Sequence, residues 1–438
     1  MFRKIKSYIA DFLKSNSNKI LILDGARQIG KSYIIREVGT ELFANYIEIN
    51  LLEDSLNDRL FENTKSTEDF YLRLSMFAGE KLKDKSTTLV FLDEIQAYPQ
   101  LFTLLKFLKQ EDRFTYIASG SLLGVTLSQT SSIPMGSIEV KHMYPMDFEE
   151  YLIACGFGQL AMDSLKAKFE KKESLDEAMH KKILDLFKKY LLCGGLPDAV
   201  KTFIETKNIV QVRTIQNEIR LYYGMDASKY DSYYRLKIRR IYDMIPSTLE
   251  NKKKRVRVQD IENKKGKRFS DYQDEFDYLI NAGIALDVQA VSTPVFPLTE
   301  HSGKNLLKLY LNDVGILSDI FYQNNIRAVL DEQNSINLGT LYECAVAQEL
   351  KAHGHKLFYY DNKAKGEVDF LLNDFENLSV LPVEVKSGKD YTVHSSLNHF
   401  LENPDYNVKT AVVLSNAREI KTSERGITYL PVYFSMFL

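Results

Sequence analysis

Asp24-Gly25-Ala26-Arg27-Gln28-Ile29-Gly30-Lys31-Ser32 follows the apolar run Ile20-Leu21-Ile22-Leu23 and leads into Tyr33-Ile34-Ile35-Arg36-Glu37-Val38. The stretch from Gly25 to Ser32 fits Gly-x-x-x-x-Gly-Lys-Ser/Thr. A buried strand reads before it and a helix after it, the context in which this pattern makes a phosphate-binding P-loop. Glycines at 25 and 30 let the backbone turn tightly and bring its N–H groups to phosphate oxygens, and the following helix offers its positive N-terminal end to the same anion. Gly25, Ala26, Arg27, Gln28, Ile29, Gly30, Lys31, Ser32 and Tyr33 are therefore the expected nucleotide-binding set. Lys31 is expected to reach the β- and γ-phosphates and Ser32 to ligate Mg²⁺, which makes ATP and Mg²⁺ the expected ligand and cofactor.

Around the loop the pattern is that of an α/β domain. Residues 4–15 carry Ile5, Ile9, Phe12 and Leu13 at helical spacing, and Asn45–Asn50 alternates as a strand. Thr87-Thr88-Leu89-Val90-Phe91-Leu92-Asp93-Glu94 is an apolar run that ends in two acids. In a parallel sheet such a run is a central strand, and its C-terminal end opens on the same edge as the P-loop. There Asp93 is expected to hold Mg²⁺ through its water shell, and Glu94 to polarise the attacking water with Lys31 as its catalytic partner. Thr115–Ser121 reads as the next strand and a polar turn. Ser119 or Ser121 either senses the γ-phosphate by a hydrogen bond or belongs to a plain serine turn.

Length and composition bound the rest. The 438 residues suggest roughly three domains at about 150 residues each. Hydrophobic residues at 45% and charged residues at 26% exclude a disordered or fibrous chain. A net charge of -2 gives no global attraction to nucleic acid, so any such binding must come from a local patch. Cys155, Cys193 and Cys344 lack metal-ligand spacing and read as reduced thiols, which points to the cytoplasm. The basic start is broken by polar residues before a signal-peptide core forms, and no run approaches the ~18 apolar residues of a membrane span.

Gly25–Ser32, Leu92-Asp93-Glu94-Ile95-Gln96, Ser119-Gly120-Ser121, Tyr144-Pro145-Met146-Asp147-Phe148-Glu149-Glu150-Tyr151 and Gly194-Gly195-Leu196-Pro197 together resemble the bacterial and archaeal AAA+ ATPases that carry a C-terminal domain of unknown function. Many relatives have Gly-Arg just before the Pro-x-x-Phe-x-Glu pattern, where this chain has Gly136-Ser137. The expected division is an AAA+ P-loop core with a parallel sheet at 1–156, a helical lid at 157–232, a winged helix-turn-helix at 233–312 and a restriction-endonuclease-like α/β domain at 313–438. Leu- and Lys-rich helical pattern fills 160–230. Helices at Ile238–Leu249, Val258–Ile261 and Phe269–Ala282, followed by strands at Ala285–Val291 and Leu306–Leu311, make up the expected winged element, which the resemblance also implies. Its charge cluster Lys252, Lys253, Lys254, Arg255, Arg257, Lys264, Lys265, Lys267 and Arg268 is either a footprint for DNA or RNA phosphates or a solvated face.

Near the C-terminus, Lys356–Tyr360, Glu367–Leu372 and Val380–Lys386 read as strands after a helix whose one face carries Leu338, Tyr342, Val346 and Leu350. The order Glu343, Asp369, Glu384-x-Lys386 resembles the PD-(D/E)xK nuclease constellation, in which carboxylates bind Mg²⁺ and the lysine positions water or stabilises developing charge. Fold does not establish activity. The leading expectation is an ATP-hydrolysing AAA+ protein coupled to a winged-helix and nuclease-like module that engages nucleic acid. The alternative is a nucleotide-driven switch for a protein partner, with a catalytically inactive C-terminal domain. Homo-oligomeric assembly belongs to the same expectation; a membrane does not.

Overall fold

A computed structural model describes residues 1–15, 17–121, 136–226, 235–251, 253–300, 302–332, 338–362, 365–388 and 390–438. Lys252 of the basic segment and residues 227–232 of the expected lid lie outside the described residues. The chain forms two compact units, residues 1–144 with 281–283, and residues 145–280 with 284–438.

The first unit is built on five parallel strands: β1 (Ile20–Asp24), β2 (Asn45–Asn50), β3 (Thr88–Asp93), β4 (Thr115–Gly120) and β5 (Ile138–His142), in the order β2-β3-β4-β1-β5. Every residue of β1 and β3 is buried, as the unbroken apolar runs demand of central parallel strands. The helix Gln100–Glu111 contributes Leu101, Leu105 and Leu108, one stripe at helical spacing, to a core shared with Ile20, Ile22, Val90, Leu92, Phe70 and Leu74. Because the strands run in one direction, the ends of β1, β3 and β4 share one edge. Leu23 lies opposite Ser119, and Asn50 opposite Asp93.

The second unit holds an eight-stranded mixed sheet: β6 (Ala285–Val291), β7 (Ser302–Leu311), β8 (Phe358–Asn362), β9 (Gly366–Asp374), β10 (Ser379–Val385), β11 (Ala411–Ser415), β12 (Lys421–Thr422) and β13 (Ile427–Pro431), in the order β12-β13-β11-β10-β9-β8-β6-β7. Val368, Leu371, Val380 and Val413 pack with Leu397 and Phe400 of the helix Ser395–Leu401. The helix Gly339–Ala352 is buried from Thr340 to Leu350, so its apolar face is far wider than the stripe expected at 338, 342, 346 and 350.

The expected wing is placed differently. β6 pairs antiparallel with β7 but also parallel with β8, so both strands belong to the same sheet as the C-terminal strands β8–β13. The expected boundary after residue 312 therefore follows directly on a strand of that sheet. Alternation of buried and exposed residues makes a two-faced strand whichever neighbour it pairs with, and says nothing of the neighbour. The helices Gln159–Glu170, Glu177–Cys193, Pro197–Thr206 and Ile209–Asp226 match the helical pattern at 160–230 and belong to this second unit.

Two of the motifs behind the resemblance turn out to be joints in this unit. Asp147 caps the helix Phe148–Ala154, accepting from Glu150 N, while Glu150 accepts from Asp147 N: a capping box. Met146 N donates to Gly195 O at 2.7 Å, and Gly195 N to Asp313 Oδ2 at 2.6 Å. A Cβ on Gly195 would meet Met146 O at 2.0 Å, and one on Gly194 would meet Asp313 Oδ1 at 2.1 Å, so side chains are excluded at both positions.

Candidate functional site

The P-loop takes its shape from backbone conformations that favour glycine. Gly25 has φ 140°, Gly30 φ 92°, and Gln28 between them φ 63°. A Cβ on Gly25 would meet Met143 O at 2.3 Å. Arg3, 6% exposed, braces the loop from outside it: Nη1 donates to Ile29 O at 2.7 Å and Nη2 to Tyr144 O at 2.6 Å. The sequence reading did not single out this arginine.

Gly30 begins the helix Lys31–Leu42, which puts Lys31 and Ser32 in its first turn. Lys31 Nζ donates to the carbonyls of Gly25 (2.8 Å) and Ala26 (2.7 Å). Burial lowers its pKa from the ordinary lysine value, while the charges of Glu94, Asp24 and Asp93 pull the other way. Ser32 Oγ donates to Asp93 at 3.0 Å (Oδ1) and 2.9 Å (Oδ2), Ser119 Oγ donates to Asp93 Oδ1, and Glu94 N to the same oxygen at 3.1 Å. The ends of β1, β3 and β4 thus deliver Ser32, Asp93 and Ser119 to one point. Burial raises the pKa of Asp93, and the two serine hydroxyls partly offset it.

Glu94 sits at φ 54°, sparsely populated for a non-glycine residue, directly after the strand. Its Oε2 accepts from Gln96 Nε2 and from Ser121 Oγ at 3.3 Å, and Gln96 Nε2 also reaches Ser121 Oγ at 3.1 Å. Ser119 and Ser121 therefore take different partners, one on each acid. Gln28 is exposed and Tyr33 57% exposed, while Arg27, Gly30 and Ser32 are half-buried, so of the nine loop residues Gln28 and Tyr33 are turned least inward. His142 Nδ1 lies 3.0 Å from Asp24 Oδ2 at the base of the loop, a pair absent from the sequence reading.

In the second unit, β9 and β10 pair antiparallel with Phe370 opposite Val383, which brings Asp369 beside Glu384. Asp369 Oδ2 accepts from Val385 N at 2.8 Å. Lys386 lies just past β10, and its Nζ donates to Glu384 Oε1 at 2.8 Å. Glu384 is 5% exposed, and its Oε2 is buried without a hydrogen-bond partner. Asp369 is pushed well above the usual carboxylate range by burial, then by the neighbouring charges of Glu384 and Glu343. Burial raises Glu384 too, with Lys386 opposing; burial lowers Lys386, but Glu384 outweighs it and the net shift is upward.

Glu343 enters the same neighbourhood from the helix Gly339–Ala352. Its Oε2 accepts from Tyr310 OH at 2.9 Å and its Oε1 from Lys254 Nζ. Lys308, fully buried on β7, pairs with Glu367 and lies 4.4 Å from the centre of the Tyr359 ring. Among the described residues, no group of three or more His, Cys, Asp or Glu is placed to hold a metal ion.

The basic segment does not act as one surface. Lys253 and Arg255 pair with Asp361 at 3.3 and 3.4 Å, and Lys254 pairs with Glu343. Arg257, Lys264, Lys265, Lys267 and Arg268 are exposed, with Lys264 3.7 Å from Glu262.

The AAA domain family matches residues 17–152, the span that holds the loop, both acids and Ser119. The chain carries an AAA-type ATPase domain. Two domains of unknown function follow it: DUF8612 at residues 184–328 and DUF4143 at 338–434. No curated protein matches the chain. Among solved structures, a Walker-type ATPase of Pyrococcus abyssi is similar at 13% identity with a TM-score of 0.41, over 72% of this chain and 95% of that one. Cdc6p from Pyrobaculum aerophilum is similar at 13% identity and TM-score 0.27, over 76% and 95% of the two chains. The RuvB Holliday junction branch migration motor of Thermotoga maritima is similar at 13% identity and TM-score 0.30, over 65% and 89%. Scores this low leave the site to its own geometry. No described helix is long and apolar enough to cross a membrane.

Proposed function

We propose that the AAA domain binds ATP with Mg²⁺ and hydrolyses it, and that the second unit engages nucleic acid. The observation that carries the first part is the meeting of Ser32, Asp93 and Ser119 at the sheet edge, with Ser32 in the same helical turn as Lys31. The oxygens of Ser32 and Asp93 are the hard donors Mg²⁺ takes, and two suffice because this ion keeps several waters. Bound there, Mg²⁺ would neutralise charge on the phosphates. Lys31 gives its ammonium to the phosphates by leaving the carbonyls of Gly25 and Ala26. Glu94, oriented by Gln96 and Ser121, takes the position of water-polarising base. Phosphate release by the purified chain, with and without duplex and single-stranded DNA, tests this. Release by Lys31→Ala at the wild-type rate would overturn it, and a phosphorylated product in place of free phosphate would make the protein a kinase.

The exposed cations Arg257, Lys264, Lys265, Lys267 and Arg268 support binding to a DNA or RNA backbone, and Asp369, Glu384 and Lys386 support metal-dependent phosphodiester cleavage with Glu343 as accessory acid. The orphaned Glu384 Oε2 beside Asp369 suits a divalent cation. A second reading has its own observation. Lys254 on Glu343 and Lys386 on Glu384 balance the acids internally, which favours a nucleotide-driven switch for a protein partner with a non-cutting tail. Cleavage assays on single-stranded, duplex and branched substrates with Mg²⁺ or Mn²⁺ separate the two: only a cutting domain loses activity on Asp369→Ala while keeping ATP hydrolysis. The free cysteines, with Cys193 and Cys344 buried, fit the proposed cytoplasmic setting.

A further inference from the structure

We propose that Lys253-Lys254-Arg255 is a gate on the C-terminal carboxylates: its cations hold the site shut, and a nucleic-acid backbone opens it to a divalent metal by drawing them away. This rests on the reading of Glu343, Asp369 and Glu384 as metal-binding acids.

Three observations meet here. Asp369 and Glu384 converge, and the buried Glu384 Oε2 has no hydrogen-bond partner, so two thirds of a ligand set is in place. The third acid, Glu343, is 5% exposed and has both oxygens taken, one by Tyr310 and one by Lys254. An oxygen that accepts an ammonium is not free for a metal, and among the described residues no three-acid group is placed to hold one. On either side of Lys254, Lys253 and Arg255 share Asp361, and their side chains are 39% and 32% exposed against 15% for Lys254.

The outer two cations are therefore the ones a phosphate can reach. The next residue, Val256, is anchored by its N–H to Leu307 O at 2.8 Å, and beyond it Arg257, Lys264, Lys265, Lys267 and Arg268 stand exposed. A duplex, with a charge every ~1.7 Å, competes with the single carboxylate of Asp361 for Lys253 and Arg255. Pulling them outward takes Lys254 with them and releases Glu343 Oε1. No covalent step is involved. On Glu343 a divalent metal takes the place of Lys254, while Lys253 and Arg255 exchange the carboxylate of Asp361 for phosphates of the backbone.

The test is Mn²⁺ binding to the full chain without nucleotide, followed by the electron paramagnetic resonance of free Mn²⁺. Lys254→Met should bind Mn²⁺ about tenfold more tightly than wild type, the scale of one charge-assisted hydrogen bond no longer competing. Lys254→Arg should match wild type. A short DNA duplex should tighten Mn²⁺ binding by wild type and leave Lys254→Met unchanged, with Asp369→Ala on the same duplex subtracting ions held by the DNA. Equal affinities for wild type and Lys254→Met, both lost on Asp369→Ala, would keep the metal site and discard the gate. Absence of any Asp369-dependent Mn²⁺ binding in every protein would discard the metal site itself. If Lys254→Met does not fold, the wild-type duplex comparison decides, and no change in Asp369-dependent binding overturns the gate.

Discussion

Replacing Arg3 by methionine should weaken both the first unit and its grip on ATP. The guanidinium is 6% exposed and makes two short bonds, to Ile29 O at 2.7 Å and Tyr144 O at 2.6 Å. Hydrogen bonds to a charged group are worth about 1.5–3 kcal/mol each. They share one side chain and do not add fully, so about 3 kcal/mol is the expected loss. In a domain of this size each kcal/mol lowers Tm by about 2–4 °C, which makes a fall of roughly 6–12 °C in the transition of this unit. Ile29 stands immediately before Gly30 and Lys31, so a loosened Ile29 carbonyl costs the loop its shape where the phosphates dock. If about 1.4 kcal/mol of the loss falls on the bound state, ATP affinity drops about tenfold. Arg3→Lys, able to keep one bond, should fall between. The assays are a fluorescent-nucleotide titration and a thermal melt on the same preparations. Wild-type affinity and an unchanged melt in Arg3→Met would refute the bracing role.

The other predictions concern the two sites and one buried acid. Lys31→Ala should lose nucleotide binding, while Glu94→Gln should bind ATP normally and hydrolyse it about 10²–10⁴-fold more slowly, as removal of a general base does; normal turnover would take Glu94 out of that role. Reversing the charge of Arg257, Lys265 and Lys267 together should weaken binding to duplex DNA and reduce its salt slope by about 0.9 per lost phosphate contact, and binding that ignores the change would assign these residues to solvent. Asp313 is fully buried, and burial holds it up to about 6 against the pull of the Gly195 and Ile316 amides. The native state thus keeps this proton more tightly than the unfolded chain, so its contribution to stability is full below the ordinary aspartate value of 3.8 and lost as pH rises through about 6. Wild type should lose about 3 kcal/mol relative to Asp313→Asn across that window, from a shift of about two units; a constant difference in denaturant midpoint would show that Asp313 does not titrate there.

What could be read from the chain alone was what is local in it. The P-loop is a strand, a turn and a helix in one continuous stretch, and β3 ends on Asp93 with Glu94 directly after it, so pattern and spacing suffice to place Lys31, Ser32, Asp93 and Glu94 on one edge of a parallel sheet. The strands at β8, β9 and β10 were legible for the same reason, and with them the side-by-side placing of Asp369 and Glu384 once the two runs pair. The rest was settled by partners far apart in sequence, about which a local pattern carries no information. Arg3 finds Ile29 across 26 residues and Tyr144 across 141. Lys254 finds Glu343 across 89, and Lys253 finds Asp361 across 108, so a charge cluster that is uniform in sequence divides into paired and exposed lysines only when the chain folds. The hairpin of β6 and β7 has the alternation of any half-buried strand pair, and its membership of the large sheet was decided by the backbone hydrogen bonds of β6 to β8, which side chains along one strand cannot specify.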